Sequence, residues 1–143
     1  MRSPDQQLYA AALLGAAAGL RSATPEAVLV ARGRITHEPP VRTAILLAAG
    51  GELIADKLPW VPARVKPGPY LGRIGSGAFC GRVVGGRDGA LAGAATSAIT
   101  TLVGYQSRGA ASRRSAGRGF LAALLEDALA VGLAHAGASL SDR

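Results

Sequence analysis

Residues 43–60 read TAILLAAGGELIADKLPW, an apolar run that becomes charged towards its end. Glu52 and Asp56 are four residues apart, so in a helix they lie on one face, with Cβ atoms about 5–6 Å apart. Two carboxylates on one stripe of an otherwise apolar segment need a cation, a proton, water or a helix N-terminus as a partner. The stretch therefore predicts a helix that forms one wall of a polar site inside an apolar bundle.

The composition around this stretch is aliphatic and small, with 20 glycines and only 4% aromatic residues among 143 positions. Soluble cores usually use more Phe, Tyr and Trp, whereas Gly and Ala suit helices that pack closely in membranes. The formal charge is +7, and the basic residues stand between apolar runs, as expected for contact with anionic headgroups. We predict an integral protein of the lipid bilayer with no nucleic-acid partner; a soluble nucleic-acid binder is the weaker alternative.

The first apolar segment is interrupted. Residues 8–20 are apolar but shorter than the ~20 residues that span a bilayer. Thr24 and Pro25 form a helix-start signal, a capping residue followed by Pro at the first helical position. We predict a broken helix, residues 8–20 and then 25–31, with Arg21 at a break that protein or water must cover. Two alternatives remain open: residues 25–31 lie at the membrane interface, or residues 8–20 are the core of a signal peptide.

The middle of the chain is rich in proline. Residues 59–69 contain four prolines, and we interpret them as a linker between two halves, 1–62 and 70–143, of a single membrane domain.

Glycine recurs at every fourth position in the next segment, residues 70–86. Gly77, Gly81 and Gly85 predict a flat groove on one helix face against which a neighbouring backbone packs. Because the segment also contains arginines, a short re-entrant helix and a spanning helix with snorkelling arginines both fit. A cluster of glycine turns, as in soluble proteins, is the third interpretation.

The second half contains the clearest predicted membrane span, residues 89–105, which carry no charge. A basic loop is predicted at residues 106–118, and a last helix at residues 119–140 carries Glu126 and Asp127 near its middle. A charge at a helix centre costs about 2.5–3.5 kcal/mol on insertion scales. These acids therefore need partners.

The two halves share a plan, an apolar helix followed by a basic loop and a helix with acids. Residues 51–56 (GELIAD) compare with residues 125–130 (LEDALA), which places Glu52 opposite Glu126. Internal repeats with interrupted helices and acids at matching depth are typical of transport sites at a repeat interface. Chance similarity in Gly- and Ala-rich sequence is the alternative.

The ionisable residues inside apolar helices give the functional prediction. We expect five of them to bind an ion or small polar solute: Arg21, Glu52, Asp56, Glu126 and Asp127. The chain is then a transporter or channel of four long helices plus a short glycine-rich helix. The alternative is an accessory or assembly subunit whose buried charges fix helix packing. No motif of an enzyme, a metal site or a cofactor loop is present, so we predict none of these. Basic residues divide almost evenly between the two predicted sides, which gives no orientation. Two explanations stay open, a wrong number of spans or copies that insert both ways and pair as an antiparallel homodimer.

Three motifs carry a resemblance to a known family: AAAGLRSATP at residues 16–25, ELIADKLP at 52–59 and GRIGSGAFCGR at 72–82. They resemble an uncharacterised family of small bacterial multi-pass membrane proteins that bear a domain of unknown function. The resemblance covers nearly the whole chain and implies an integral protein of the bacterial inner membrane, with no assigned activity or ligand. The recurring polar positions of the family fall on Arg21, Glu52 and Asp56.

Overall fold

The structure, a computed structural model, describes residues 3–36, 38–55 and 66–142. Within these ranges every regular element is an α-helix, so the prediction of an all-α fold is confirmed. The helices are α1 (Pro4–Leu20), α2 (Thr24–Ala31), α3 (Pro39–Ala55), α4 (Pro67–Arg114) and α5 (Ala116–Asp142). The described residues do not include Asp56 or residues 59–65 of the predicted linker.

Prolines mark the start of two helices, α1 and α3. Ser3 caps α1, since its Oγ accepts a hydrogen bond from the Gln6 backbone N–H at 3.2 Å, and Pro4 is the first helical residue. Pro39 and Pro40 are the first two residues of α3. Both cases follow from the preference for proline in the first turn, where a missing N–H costs nothing.

α4 is a helical hairpin. Its two arms, residues 67–84 and 87–114, meet at Gly85 and Gly86, which have non-helical backbone angles. Gly86 has φ +63°, a left-handed conformation that favours glycine. The predicted glycine-rich helix and the predicted uncharged span are thus the two arms of one hairpin. Gly85, predicted to lie in the packing groove, lies at the turn beside Gln7 of α1.

The prediction of a basic loop at residues 106–118 is wrong. α4 continues to Arg114 and α5 starts at Ala116, which leaves Ser115 as the junction. The Ser115 Oγ accepts a hydrogen bond from the Arg118 backbone N–H at 3.2 Å, which is the pattern of an N-cap. The arginines of this stretch do not interrupt the helix because Arg is a good helix former.

Glycines bring the two arms of α4 into backbone contact. A Cβ added to Gly77 or Gly81 on the first arm would lie less than 3.0 Å from the backbone of Gly93 or Gly89 on the second. Gly15 of α1 meets Gly93 in the same way. Three helical segments therefore pack at a distance that only glycine permits.

α1 is the centre of the bundle, and α2 folds back along it. Leu14 of α1, Leu29 of α2 and Cys80 of α4 belong to one buried apolar cluster. Arg21 before α2 pairs with Asp127 of α5, whereas Arg32 after α2 pairs with Asp142 near the end of α5. Because α5 runs antiparallel to α1, with Gly137 against Ala10, the chain reverses at the break instead of continuing in one direction.

One helix in the described part of the chain is long and apolar enough to cross a membrane, α5 over Gly117–Asp142. α1 has 17 residues, fewer than the ~20 of a span, and the described part of α3 also has 17. α4 carries charged residues on both sides of its turn. The structure thus supports one candidate span where the sequence predicts four.

Candidate functional site

The break between α1 and α2 is the polar centre of the molecule. α1 ends at Leu20, and Ala23, the cap residue of α2, has no side chain that can accept a hydrogen bond. Thr24 is the first residue of α2 rather than its cap. The last carbonyls of α1 and the first N–H groups of α2 therefore need partners from elsewhere in the bundle.

Glu52 of α3 caps the N-terminus of α2. Its carboxylate accepts hydrogen bonds from the backbone N–H of Ser22 at 2.9 Å and of Ala23 at 2.8 Å, and from the Ser22 hydroxyl at 2.9 Å. A carboxylate at the N-terminus of a helix also interacts favourably with the helix dipole. The acid at the centre of the sequence prediction thus holds α3 against the break.

Arg73 of α4 caps the C-terminus of α1. Its Nη1 donates to the carbonyl oxygens of Gly19 at 3.1 Å and Leu20 at 2.8 Å, and its Nη2 donates to Glu52 Oε1 at 3.0 Å. The Thr101 hydroxyl donates to the Gly19 carbonyl as well, at 3.1 Å. One ion pair, Arg73–Glu52, therefore caps both helix ends at the break.

Two further ion pairs surround the break. Arg21, whose side chain is fully buried, donates from Nε to Asp127 Oδ1 at 2.6 Å. Arg108 donates from Nε to Glu126 Oε2 at 3.0 Å. The structure thus brings Arg21 and Asp127 into direct contact, whereas Glu126 pairs with an arginine of the region predicted as a loop.

These pairs account for four of the five predicted site residues, and Asp56 lies outside the described part of the chain. A buried ion pair with good hydrogen bonds contributes little net stability, but removing one partner costs about 3–5 kcal/mol. Such a network fixes which helix faces meet. Arg21, Glu52, Glu126 and Asp127 therefore have a clear structural task in this bundle.

An open cavity of about 250 Å³ lies beside the Glu52 cap, between α2, α3 and the first arm of α4, and Ala48 on its α3 wall is exposed. Its lining residues are Ser22, Ala23, Glu26, Ile45, Ala48 and Ser76. Glu26 differs from the other acids of the interior. Among the described residues no Arg or Lys pairs with it, and its Oε2 is buried without a hydrogen-bond partner. A carboxylate in this setting is costly unless it binds a proton or a cation.

The two hydroxyls of the cavity already donate their protons. The Ser76 Oγ donates to the Ser22 carbonyl oxygen at 2.5 Å, and the Ser22 Oγ donates to Glu52 Oε1 at 2.9 Å. A hydroxyl oxygen keeps acceptor lone pairs when it donates. A ligand in the cavity would therefore find hydrogen-bond acceptors on Ser22, Ser76 and Glu26.

Three residues of this centre were not predicted as site residues. They are Glu26 in the first turn of α2, Arg73 in the glycine-rich segment and Arg108 in the region predicted as a loop. Arg73 precedes Gly77 by one helical turn, so it lies on the glycine face that packs inward. The one-turn spacing between Arg73 and Gly77 is the one feature of the sequence that indicates an inward-facing arginine.

The described residues hold no group of three or more His, Cys, Asp or Glu side chains that could bind a metal ion. Comparisons with protein-family models, with curated proteins and with solved structures found no match. The resemblance of the three sequence motifs to a membrane-protein family thus stays a prediction.

Proposed function

We propose that this chain is a multi-pass helical protein of the bilayer, with both arms of α4 and α5 crossing the apolar core and the shorter α1 packed between them. The distribution of side chains supports this proposal. Arg21 and Arg73 are buried, whereas Leu91 and Leu125 are each 71% exposed. The outward residues of the second α4 arm and α5 include Leu91, Ile99, Val103, Phe120, Leu121, Leu125 and Leu129. Charges inside and large aliphatic side chains outside suit a lipid solvent.

Membrane extraction tests this location. After expression in a bacterium, we expect the chain to stay in the membrane pellet through an alkaline carbonate wash and to enter the supernatant only with detergent. The physical reason is the outward apolar surface, which water cannot solvate without a large free-energy cost. Release by carbonate alone would contradict a bilayer location. We also propose that the membrane is the bacterial inner membrane, and fractionation of the inner and outer membranes would check this.

Within that setting, we propose that the protein is a transporter or channel for an ion or small polar solute, and that the cavity beside the break is its binding site. The observation that supports this function is Glu26, an acid without a cationic partner among the described residues, at the wall of a cavity. Intramembrane ionisable residues usually mark substrate or ion pathways. The other interior acids are engaged in ion pairs and support the site from around it.

Flux into proteoliposomes tests the function. We expect the wild-type chain to accelerate uptake of at least one of rubidium ion, ethylammonium and glycerol over protein-free liposomes. Glu26→Gln should lower that uptake at least about tenfold, because a charge-assisted hydrogen bond is worth about 1.5–3 kcal/mol. Glu38→Gln is the matched control, since Glu38 is an exposed acid just before α3, and its uptake should equal that of the wild type.

A non-transporting assembly subunit is the second candidate function, and the ion pairs Arg21–Asp127 and Arg73–Glu52 favour it. It predicts no uptake of any probe by the wild type and loss of subunit association in Asp127→Asn, measured by mass in detergent. A homodimer is the simplest such assembly. Uptake that depends on Glu26 would exclude this candidate as the whole function.

A further inference from the structure

We infer that the cavity binds a small primary alkylammonium ion, with its –NH₃⁺ group on the Glu26 carboxylate and its alkyl group against α3. This inference rests on the proposed function and deepens it by naming the class of substrate. It is carried by the numbers and kinds of groups that line the cavity, by its charge and by its volume.

The charge of the cavity calls for a cation. Glu26 is the one acid among the described residues of its lining, whereas the Glu52 carboxylate is neutralised by Arg73 and accepts hydrogen bonds from the N–H groups of Ser22 and Ala23. An ionised Glu26 carboxylate would stay uncompensated beside a neutral guest, and an anion would meet a like charge. A guest with one positive charge balances the site.

The polar groups match an ammonium rather than a bare metal ion. Three acceptors line the cavity, the Glu26 carboxylate and the Ser22 and Ser76 hydroxyls, and a primary ammonium has three N–H donors. Hard metal cations prefer about six or more oxygen ligands. Because both hydroxyls already donate to protein acceptors, they present lone pairs to a donor.

The remaining wall is apolar. Ala23, Ile45 and Ala48 offer only hydrocarbon to a guest, which suits an alkyl chain and gives a hydrated ion nothing to bind. The volume of about 250 Å³ is below the usual range of about 300–1,000 Å³ for sites of drug-sized ligands. A chain of a few carbon atoms fits these limits.

Calorimetric titration of the full chain in detergent tests this assignment, with n-butylammonium as the probe. We expect n-butylammonium to bind more tightly than ammonium, which lacks the alkyl chain, and than tetramethylammonium, which lacks N–H donors. Glu26→Gln should raise the dissociation constant for n-butylammonium at least about tenfold, while Glu38→Gln leaves it unchanged. Ala48→Leu adds a larger side chain at the apolar end of the cavity, so it should weaken the binding of n-butylammonium and leave the binding of ammonium unchanged.

Ser76→Ala provides a second variant should Glu26→Gln fail to fold, and it should also weaken n-butylammonium because one acceptor is lost. Potassium binding as tight as n-butylammonium, with no effect of chain length, would overturn the assignment. So would wild-type protein that binds none of these cations. Rubidium or glycerol uptake without alkylammonium binding would overturn this inference alone, whereas alkylammonium binding without any uptake would overturn the transport function instead.

Discussion

Replacing Arg73 by Met should destabilise the protein by about 3–5 kcal/mol, because it leaves Glu52 as a buried carboxylate without its cation and removes the donors to the Gly19 and Leu20 carbonyls. The free energy of unfolding in mixed micelles, from titration with SDS, measures this loss. We expect the far-ultraviolet helix signal to fall as well, since α1 loses its C-terminal cap.

Arg82→Met is the matched control for this prediction. Arg82 lies on the same arm of α4 but is exposed, so its replacement should change the free energy of unfolding by no more than about 0.5 kcal/mol. In the double variant Arg73→Met with Glu52→Gln, the total loss should be smaller than the sum of the single losses by about 1–3 kcal/mol, because the two side chains interact directly. Equal losses for Arg73→Met and Arg82→Met would show that the cap does not matter.

Gly81→Ala should destabilise the α4 hairpin by about 1–3 kcal/mol, since the added methyl group meets the backbone of Gly89 and no rotamer can relieve the contact. Gly75→Ala on the same arm should instead stabilise the protein. A Cβ at Gly75 meets no atom within 4 Å, and Ala is favoured over Gly in a helix by about 1 kcal/mol.

The pair therefore separates close packing from helix propensity in one experiment, measured as above by the free energy of unfolding. If both substitutions stabilised the protein, the two arms would not be in contact at these glycines. If both destabilised it to the same degree, an effect on the unfolded or inserted chain would explain the result better than the hairpin does.

Local signals in the sequence predicted the helices well but their directions poorly. A break near Arg21 follows from Pro25 and from the length of the apolar run, which are local properties. The reversal of the chain there depends on distant partners, since Asp127 and Glu52 hold the two residues on either side of the turn. The predicted loop at residues 106–118 failed for a related reason: positive charge signals exposure to water, and exposure does not prevent a helix.

The residues of the candidate site show the same contrast between local signals, which the sequence contains, and distant partners, which it does not reveal. Glu52 stood out because an acid in an apolar run has no local explanation, whereas Glu26 had one, as a favourable charge in the first turn of a helix. The structure shows that Glu52 is neutralised by Arg73 and that Glu26 has no Arg or Lys partner among the described residues. Charge pairing across helices is decided by tertiary contacts, and no spacing within one segment reports it.

The caps at the break also set an order of assembly for the chain. Gly19 and Leu20 obtain their donors from α4, and the N–H groups of Ser22 and Ala23, just before α2, obtain their acceptor from α3. In a bilayer each unsatisfied backbone group costs several kcal/mol. The turn between α1 and α2 can therefore close only after two helices that follow it in the chain have arrived, so this turn is among the last parts of the bundle to reach its native form.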